Sequence, residues 1–151
     1  MYYEQFLENV YPECMVLYDD TIPVIEHFRQ SGFQVAILTN GPSDYQRAKI
    51  EKVSLDKHVD RILVGSELPA AKPNLIAFQS LCRLMDCAPD EAMYIGDHPI
   101  NDVDGARKAG MIPVWFRSVD IWFDSVPPSP YSVQRLGEIP PLVDRLNGLS
   151  A

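Results

Sequence analysis

Phe33-Gln34-Val35-Ala36-Ile37-Leu38-Thr39-Asn40-Gly41-Pro42 is the stretch on which the fold turns. Its first part is a short apolar run, of the kind that forms a strand buried on both faces, and Asn40-Gly41-Pro42 breaks it. Thr39 is thereby delivered to the carboxyl end of the strand. Upstream, Thr21 to Ser31 carries Ile22, Val24, Ile25 and Phe28 at helical spacing. Asp20 or Thr21 suits its N-cap, Pro23 its first turn and Gly32 its exit. Downstream, Ser43 to Lys52 reads as a polar helix.

The alternation continues along the chain. Arg61-Ile62-Leu63-Val64 is the next strand, closed by Gly65. A helix from Pro73 to about Met85 places Ala77, Phe78, Leu81, Leu84 and Met85 on one face. Ala92-Met93-Tyr94-Ile95 is a strand ended by Gly96-Asp97. A helix from about Asn101 to Ala109 exits through Gly110 into a fourth strand, Ile112-Pro113-Val114-Trp115-Phe116. Strands alternating with helices imply βαβ units with right-handed crossovers, hence an α/β fold: a Rossmann-like open parallel sheet with helices on both faces. After Arg117 the pattern weakens. Pro127-Pro128-Ser129-Pro130 marks a loop, and Ser132 to Leu146 supplies a closing helix interrupted by Pro140-Pro141.

The chain of 151 residues is long enough for one buried core, and 46% hydrophobic with 23% charged residues is ordinary for a globular protein. A formal charge of −8 excludes a nucleic-acid or anionic-membrane surface as the expected partner, since both select basic patches. An anionic small molecule remains compatible, because one lysine or metal ion reverses the field inside a cleft. Cys14, Cys82 and Cys87 form no CxxC pair and read as reduced thiols of a cytoplasmic protein. No leader follows Met1 and no apolar run approaches membrane length, so neither secretion nor spanning is expected. Tyr2 to Leu7 reads as the middle of a helix.

In open parallel sheets, ligands bind outside the carboxyl ends of the strands. Thr39-Asn40-Gly41 follows the first strand there, Lys72-Pro73 follows the second strand and its loop, and Gly96-Asp97-His98 follows the third. A Thr hydroxyl and the backbone N–H groups of a Gly turn can cradle phosphate oxygens. A lysine neutralises a phosphoryl group or an attacking carboxylate. Asp97 and Asp102, on a tight loop opening a helix, suit magnesium, which prefers oxygen ligands and keeps several waters. Each residue also has a plain structural use: Thr39 as a strand-end cap, Lys72 as a solvated lysine, Asp97 as a turn residue. Their joint order at strand ends favours the chemical reading. His27 and Cys82 read as helix packing residues, and His98 either touches substrate or stabilises its loop. Trp115, Phe116, Trp122 and Phe123 read as core and tail packing.

The ordered set Val35-Ala36-Ile37-Leu38-Thr39-Asn40-Gly41, Ala71-Lys72-Pro73-Asn74, Tyr94-Ile95-Gly96-Asp97-His98-Pro99-Ile100-Asn101-Asp102 and Asp104 to Met111 resembles the haloacid dehalogenase (HAD) superfamily, which are mostly phosphatases. The similarity covers roughly residues 15 to 148. It implies that Thr39 binds the transferred phosphoryl group with help from Asn40 and Gly41, and that Lys72 holds the charge of that group and of the nucleophile. Asp97 would be a magnesium ligand, and Asp102 a second acid that either ligates through water or fixes Lys72. Gly96-Asp97 is more similar to the metal-dependent phosphatases than to the halide-releasing members.

The family's Asp-x-Asp nucleophile loop, whose first Asp forms an aspartyl-phosphate and whose second is the acid–base group, does not occur before Thr39. Residues 1–18 resemble a remnant of the helical cap, ahead of an α/β core over 19–151, so the chain is expected to be shortened at its N-terminus. The alternative makes Cys14 to Tyr18 a strand and Asp19-Asp20-Thr21 a degenerate nucleophile loop, with Asp19 the catalytic carboxylate. Adjacent Asp residues, however, point in different directions. Without its first central strand the sheet has two inner edges that need partners, supplied by direct pairing, by residues 13–18 or by a second copy in a homo-oligomer.

The functions implied are a magnesium-dependent hydrolase of phosphate monoesters acting on a phosphorylated small molecule, a non-catalytic descendant that binds phosphate or a protein, and a phosphosugar mutase. A receiver-type signalling domain would place its acids early and its lysine last, the reverse of Lys72 and Asp97.

Overall fold

A computed structural model describes residues 15–118 and 120–148 of the chain. They fall into two compact units, one ending at Ala71 and the other starting at Lys72. Residues 1–14, which carry most of the expected cap remnant, lie outside the described residues, and residues 15–18 form neither helix nor strand.

In the first unit, α1 (Thr21–Gln30) leads to β1 (Ala36–Thr39), α2 (Ser43–Lys52) and β2 (Arg61–Val64). Asp20 occupies the N-cap of α1 without a side-chain cap bond, and the turn before it closes through Thr21 N–H on the Tyr18 carbonyl at 3.0 Å. At the exit Gly32 takes φ +85°, so that Phe33 N–H reaches the Phe28 carbonyl at 2.9 Å and the two rings meet edge to face at 5.5 Å. Strand β1 is shorter than its apolar run. Val35 donates its N–H to the Asp60 carboxylate at 2.8 Å, and its carbonyl accepts from Asp60 N–H at 2.7 Å, so regular pairing starts one residue later. β1 and β2 are parallel, in register from Ala36 opposite Arg61 to Thr39 opposite Val64. Leu38, Ile50 and Val64 form the buried centre of this unit.

The second unit holds α3 (Leu75–Met85), β3 (Met93–Gly96), α4 (Gly105–Lys108), β4 (Ile112–Phe116), β5 (Tyr131–Val133) and α5 (Ile139–Leu146). Its sheet runs in the order β3–β4–β5 with every pairing parallel. β1 and β3 therefore each stand at one end of their own sheet's order. Helix α3 starts at Leu75, later than Pro73, because the Asn74 side chain is its cap and accepts Ile76 N–H at 3.0 Å. Its apolar stripe of Ala77, Phe78, Leu81, Cys82 and Met85 is buried, with Phe78 fully enclosed. Gly105 is required against that ring, since a Cβ there would lie 2.7 Å from Phe78 Cε2.

Two expectations for this half are corrected. The helix read from Asn101 begins instead as a wider turn over Pro99–Asp104, in which Asp102 and Val103 both donate to the His98 carbonyl, and α-helical winding starts only at Gly105. Ser132 does not open a helix. Tyr131–Val133 is a fifth strand beside β4, and the closing helix starts at Ile139 with Pro140 and Pro141 in its first turn, where no N–H is needed. Arg107 ties the return segment down, its Nη2 donating to the carbonyls of Pro127 at 3.0 Å and Pro128 at 2.9 Å while Nη1 meets Asp104 at 3.3 Å. Among the described residues no helix is long and apolar enough to cross a membrane.

Candidate functional site

Helix α3 and the β3 strand end bring Lys72, Tyr94 and Asp102 together. Lys72 Nζ donates to Asp102 Oδ1 at 2.5 Å and to the Tyr94 hydroxyl at 2.8 Å. Both charged side chains are over nine-tenths buried, at 9% and 8% exposure, so the solvated-lysine alternative is overturned. A buried pair of this kind persists only when its remaining valences are satisfied. Asp102 Oδ2 accepts His98 N–H at 3.0 Å, which commits both of its oxygens. Of the two roles expected for Asp102, the geometry shows the fixing of Lys72.

Tyr94 was legible only as a strand residue, yet it completes this network. Burial pushes its hydroxyl well above the ordinary tyrosine pKa, followed by the charges of Asp102 and Asp97 and a hydrogen bond to Asp102. The ring meets Phe78 edge to face at 5.1 Å. The available signal was the tyrosine itself, because a buried hydroxyl in an aliphatic strand needs a polar partner.

Asp97 lies just past β3 and is exposed. Trp115 Nε1–H donates to its carbonyl at 3.1 Å and the Ser118 hydroxyl to its Oδ2 at 3.0 Å. Among the described residues no hydrogen-bond donor meets Oδ1, and no group of three or more His, Cys, Asp or Glu side chains gathers into a metal cage. The donor set fits magnesium in one respect: that ion takes one or two carboxylates and fills its shell with water and phosphate oxygens. His98 Nδ1 accepts from Ile100 N–H at 3.2 Å and Asn101 N–H at 3.1 Å, so the ring carries its proton on Nε2. Its loop role is thus seen directly, and Phe123 lies edge-on to it at 5.7 Å.

In the first unit, Thr39 ends β1 and Gly41 turns with φ +111° into α2. The Thr39 hydroxyl lies 3.3 Å from Gln46 Oε1, a partner the sequence did not suggest because it sits one helical turn into α2. A Cβ on Gly41 would fall 2.8 Å from Gln46 Nε2, and one on Gly65 would fall 2.9 Å from Asn40 Oδ1. Both glycines therefore permit close packing around Thr39 and Asn40. Asp19 sits in the turn before α1, exposed, and no strand leads into it. The proposed strand over Cys14 to Tyr18 is not formed in its described part, where the Tyr18 carbonyl serves the helix turn instead.

Glu67 clamps the same loop region by accepting from Ser43 and, through both oxygens, from Arg47 at 2.8 and 2.9 Å. The Arg47 bond, then the Ser43 bond, hold its carboxyl down to about 2 against an ordinary 4.5. A depressed carboxylate stabilises the fold above its unfolded pKa and loses that contribution as pH falls through the folded value. Carboxyl NMR is expected to place the Glu67 midpoint at about 2, and Arg47→Ala to return it toward 4.5. The pair is solvated, so the effect on stability is small.

Residues 1–116 match the haloacid dehalogenase-like hydrolase family. The chain is 36% identical over 99 residues to phosphoserine phosphatase of Thermus thermophilus, covering 66% of this chain and 40% of that protein. It is 30% identical over 135 residues to N-acylneuraminate-9-phosphatase of Mus musculus, covering 88% of this chain and 54% of the relative. The chain thus spans about half the length of these curated relatives. Among solved structures it is similar to a HAD phosphatase of Thermococcus onnurineus, with a TM-score of 0.82 and 31% identity over 93% of this chain and 64% of the other. Motif order, parallel α/β architecture and family match coincide, and the chain belongs to the haloacid dehalogenase-like hydrolases.

Proposed function

We propose that this chain supplies the phosphate- and magnesium-binding part of a phosphate monoester hydrolase that acts on a phosphorylated small molecule. The observation that carries the reading is the buried Lys72–Asp102–Tyr94 network beside the solvent-facing carboxylate of Asp97. A lysine buried against a carboxylate is costly for stability alone and useful where a phosphoryl group must be neutralised. Thr39 Oγ1, with Asn40 and the Gly41 backbone, would donate to phosphate oxygens. Asp97 would hold magnesium, which when bound supplies charge neutralisation to the phosphate. Asp102 would keep Lys72 oriented.

The attacking carboxylate is assigned to an Asp-x-Asp strand of the family and not to Asp19, which lies exposed in a turn. Joining the nucleophile strand and cap of a family phosphatase ahead of Met1 is expected to yield magnesium-dependent release of phenolate from an aryl phosphate. The fusion protein should stop when magnesium is chelated, and Lys72→Ala or Asp97→Asn should lower kcat by about 100-fold or more. A folded fusion without turnover would overturn the hydrolase reading. It would favour the second one, a non-catalytic phosphate-binding descendant. A cytoplasmic location fits the free thiols of Cys82 and Cys87. A homo-oligomer fits the terminal position of β1 and β3 in their sheets.

A further inference from the structure

Asp97 is gripped at two points by residues far from it in sequence. The Trp115 indole N–H holds its carbonyl at 3.1 Å and the Ser118 hydroxyl holds Oδ2 at 3.0 Å. The grip is itself anchored. Trp115 packs against Trp122 with ring centroids 4.6 Å apart, and Trp122 Nε1–H donates to the Val126 carbonyl at 2.9 Å. An exposed aspartate ordinarily samples several side-chain rotamers, and a cation must select one of them at an entropic cost.

Ser118 also differs in kind from its neighbour. Arg117 is a full cation one residue away, and its guanidinium turns to Asp120 at 3.7 Å. Asp97 therefore receives a neutral donor on one oxygen and keeps its negative charge for another ligand. Carboxylates that bind metals are themselves held by hydrogen bonds of this sort, which set their orientation. The bond would leave Oδ1 as the ligating atom.

We propose that Ser118 is a positioning residue for Asp97: its hydroxyl, backed by the Trp115 indole, fixes the carboxylate in the orientation that takes a hard divalent cation. This rests on the reading of Asp97 as the magnesium ligand. The role is to set cation affinity, and it does not require that Ser118 touch the ion or the substrate.

The chain itself allows a test without turnover. It has only two tryptophans, Trp115 and Trp122, and both lie in this corner, so terbium(III) luminescence excited through tryptophan reports a hard cation here and not elsewhere on an acidic surface. In the parent chain, terbium emission should saturate and magnesium should quench it by displacement. Ser118→Ala should raise the terbium and magnesium concentrations needed by about 10-fold, with an unchanged thermal midpoint, and Ser118→Thr should restore the parent values. Equal affinity in Ser118→Ala and the parent overturns the positioning role and leaves the magnesium reading standing. So does a weakened Ser118→Ala whose thermal midpoint falls in parallel, or a Ser118→Thr that does not rescue. Absence of sensitised emission in the parent, or emission that survives Asp97→Asn, overturns both.

Discussion

Lys72→Met is expected to destabilise the second unit by about 3–5 kcal/mol, the usual consequence of leaving one member of a buried ion pair without the other. Lys72 and Asp102 are over nine-tenths buried, and the Tyr94 hydroxyl also accepts from the ammonium. Removing the lysine leaves a buried carboxylate that keeps neutral donors, His98 N–H and the Tyr94 hydroxyl, but no counter-charge. Urea unfolding followed by tryptophan fluorescence reads this unit specifically, since both tryptophans belong to it. The double variant Lys72→Met with Asp102→Leu should recover most of the loss, because the desolvation of both charges disappears together. A single variant within about 0.5 kcal/mol of the parent would show that water reaches the pair freely.

The second large effect is expected at Gly96. A Cβ there would lie 2.6 Å from Asp102 Oδ2 and even closer to Asp102 Cβ and Cγ. A long flexible side chain would swing aside, but Asp102 is pinned by Lys72, by His98 N–H and by its own place in the turn over Pro99–Asp104. Gly96→Ala therefore forces either the strand end or the ion pair to move. A loss of about 2–4 kcal/mol follows from combining overpacking with a weakened buried pair. The same urea transition measures it, and a Gly96→Ala chain as stable as the parent would mean that the turn yields without disturbing Lys72.

These two variants also show what could be read in the sequence. The glycine before Asp97 and the lysine before Pro73 were visible as family motifs, and the strands Arg61–Val64 and Ile112–Phe116 were legible with their observed bounds because each is a short apolar run between breakers. Whether Asp102 meets Lys72 was not legible in sequence, since a metal-ligating acid and a lysine-fixing acid ask for a carboxylate at the same spacing. The distances to Lys72 and His98 show the contact. Strand β5 was hidden for a different reason. Tyr131–Val133 is too short to show a period, follows a proline cluster, and forms a strand because β4 is there to pair with it. Gln46 and Ser118 carried no local signal at all, because their partners Thr39 and Asp97 lie in other elements.

The Arg107 fork bears on how this protein tolerates change. Its Nη2 grips the main-chain oxygens of Pro127 and Pro128, so it is blind to which side chains those positions carry. Substitutions can accumulate along that stretch of the return segment without loosening it, provided that the carbonyls stay where they are. Position 107 has no such latitude. A lysine offers a point charge where a planar group reaches two neighbouring carbonyls and Asp104 at once. One short helix thus lets the segment ahead of β5 drift in sequence while Arg107 holds its main chain.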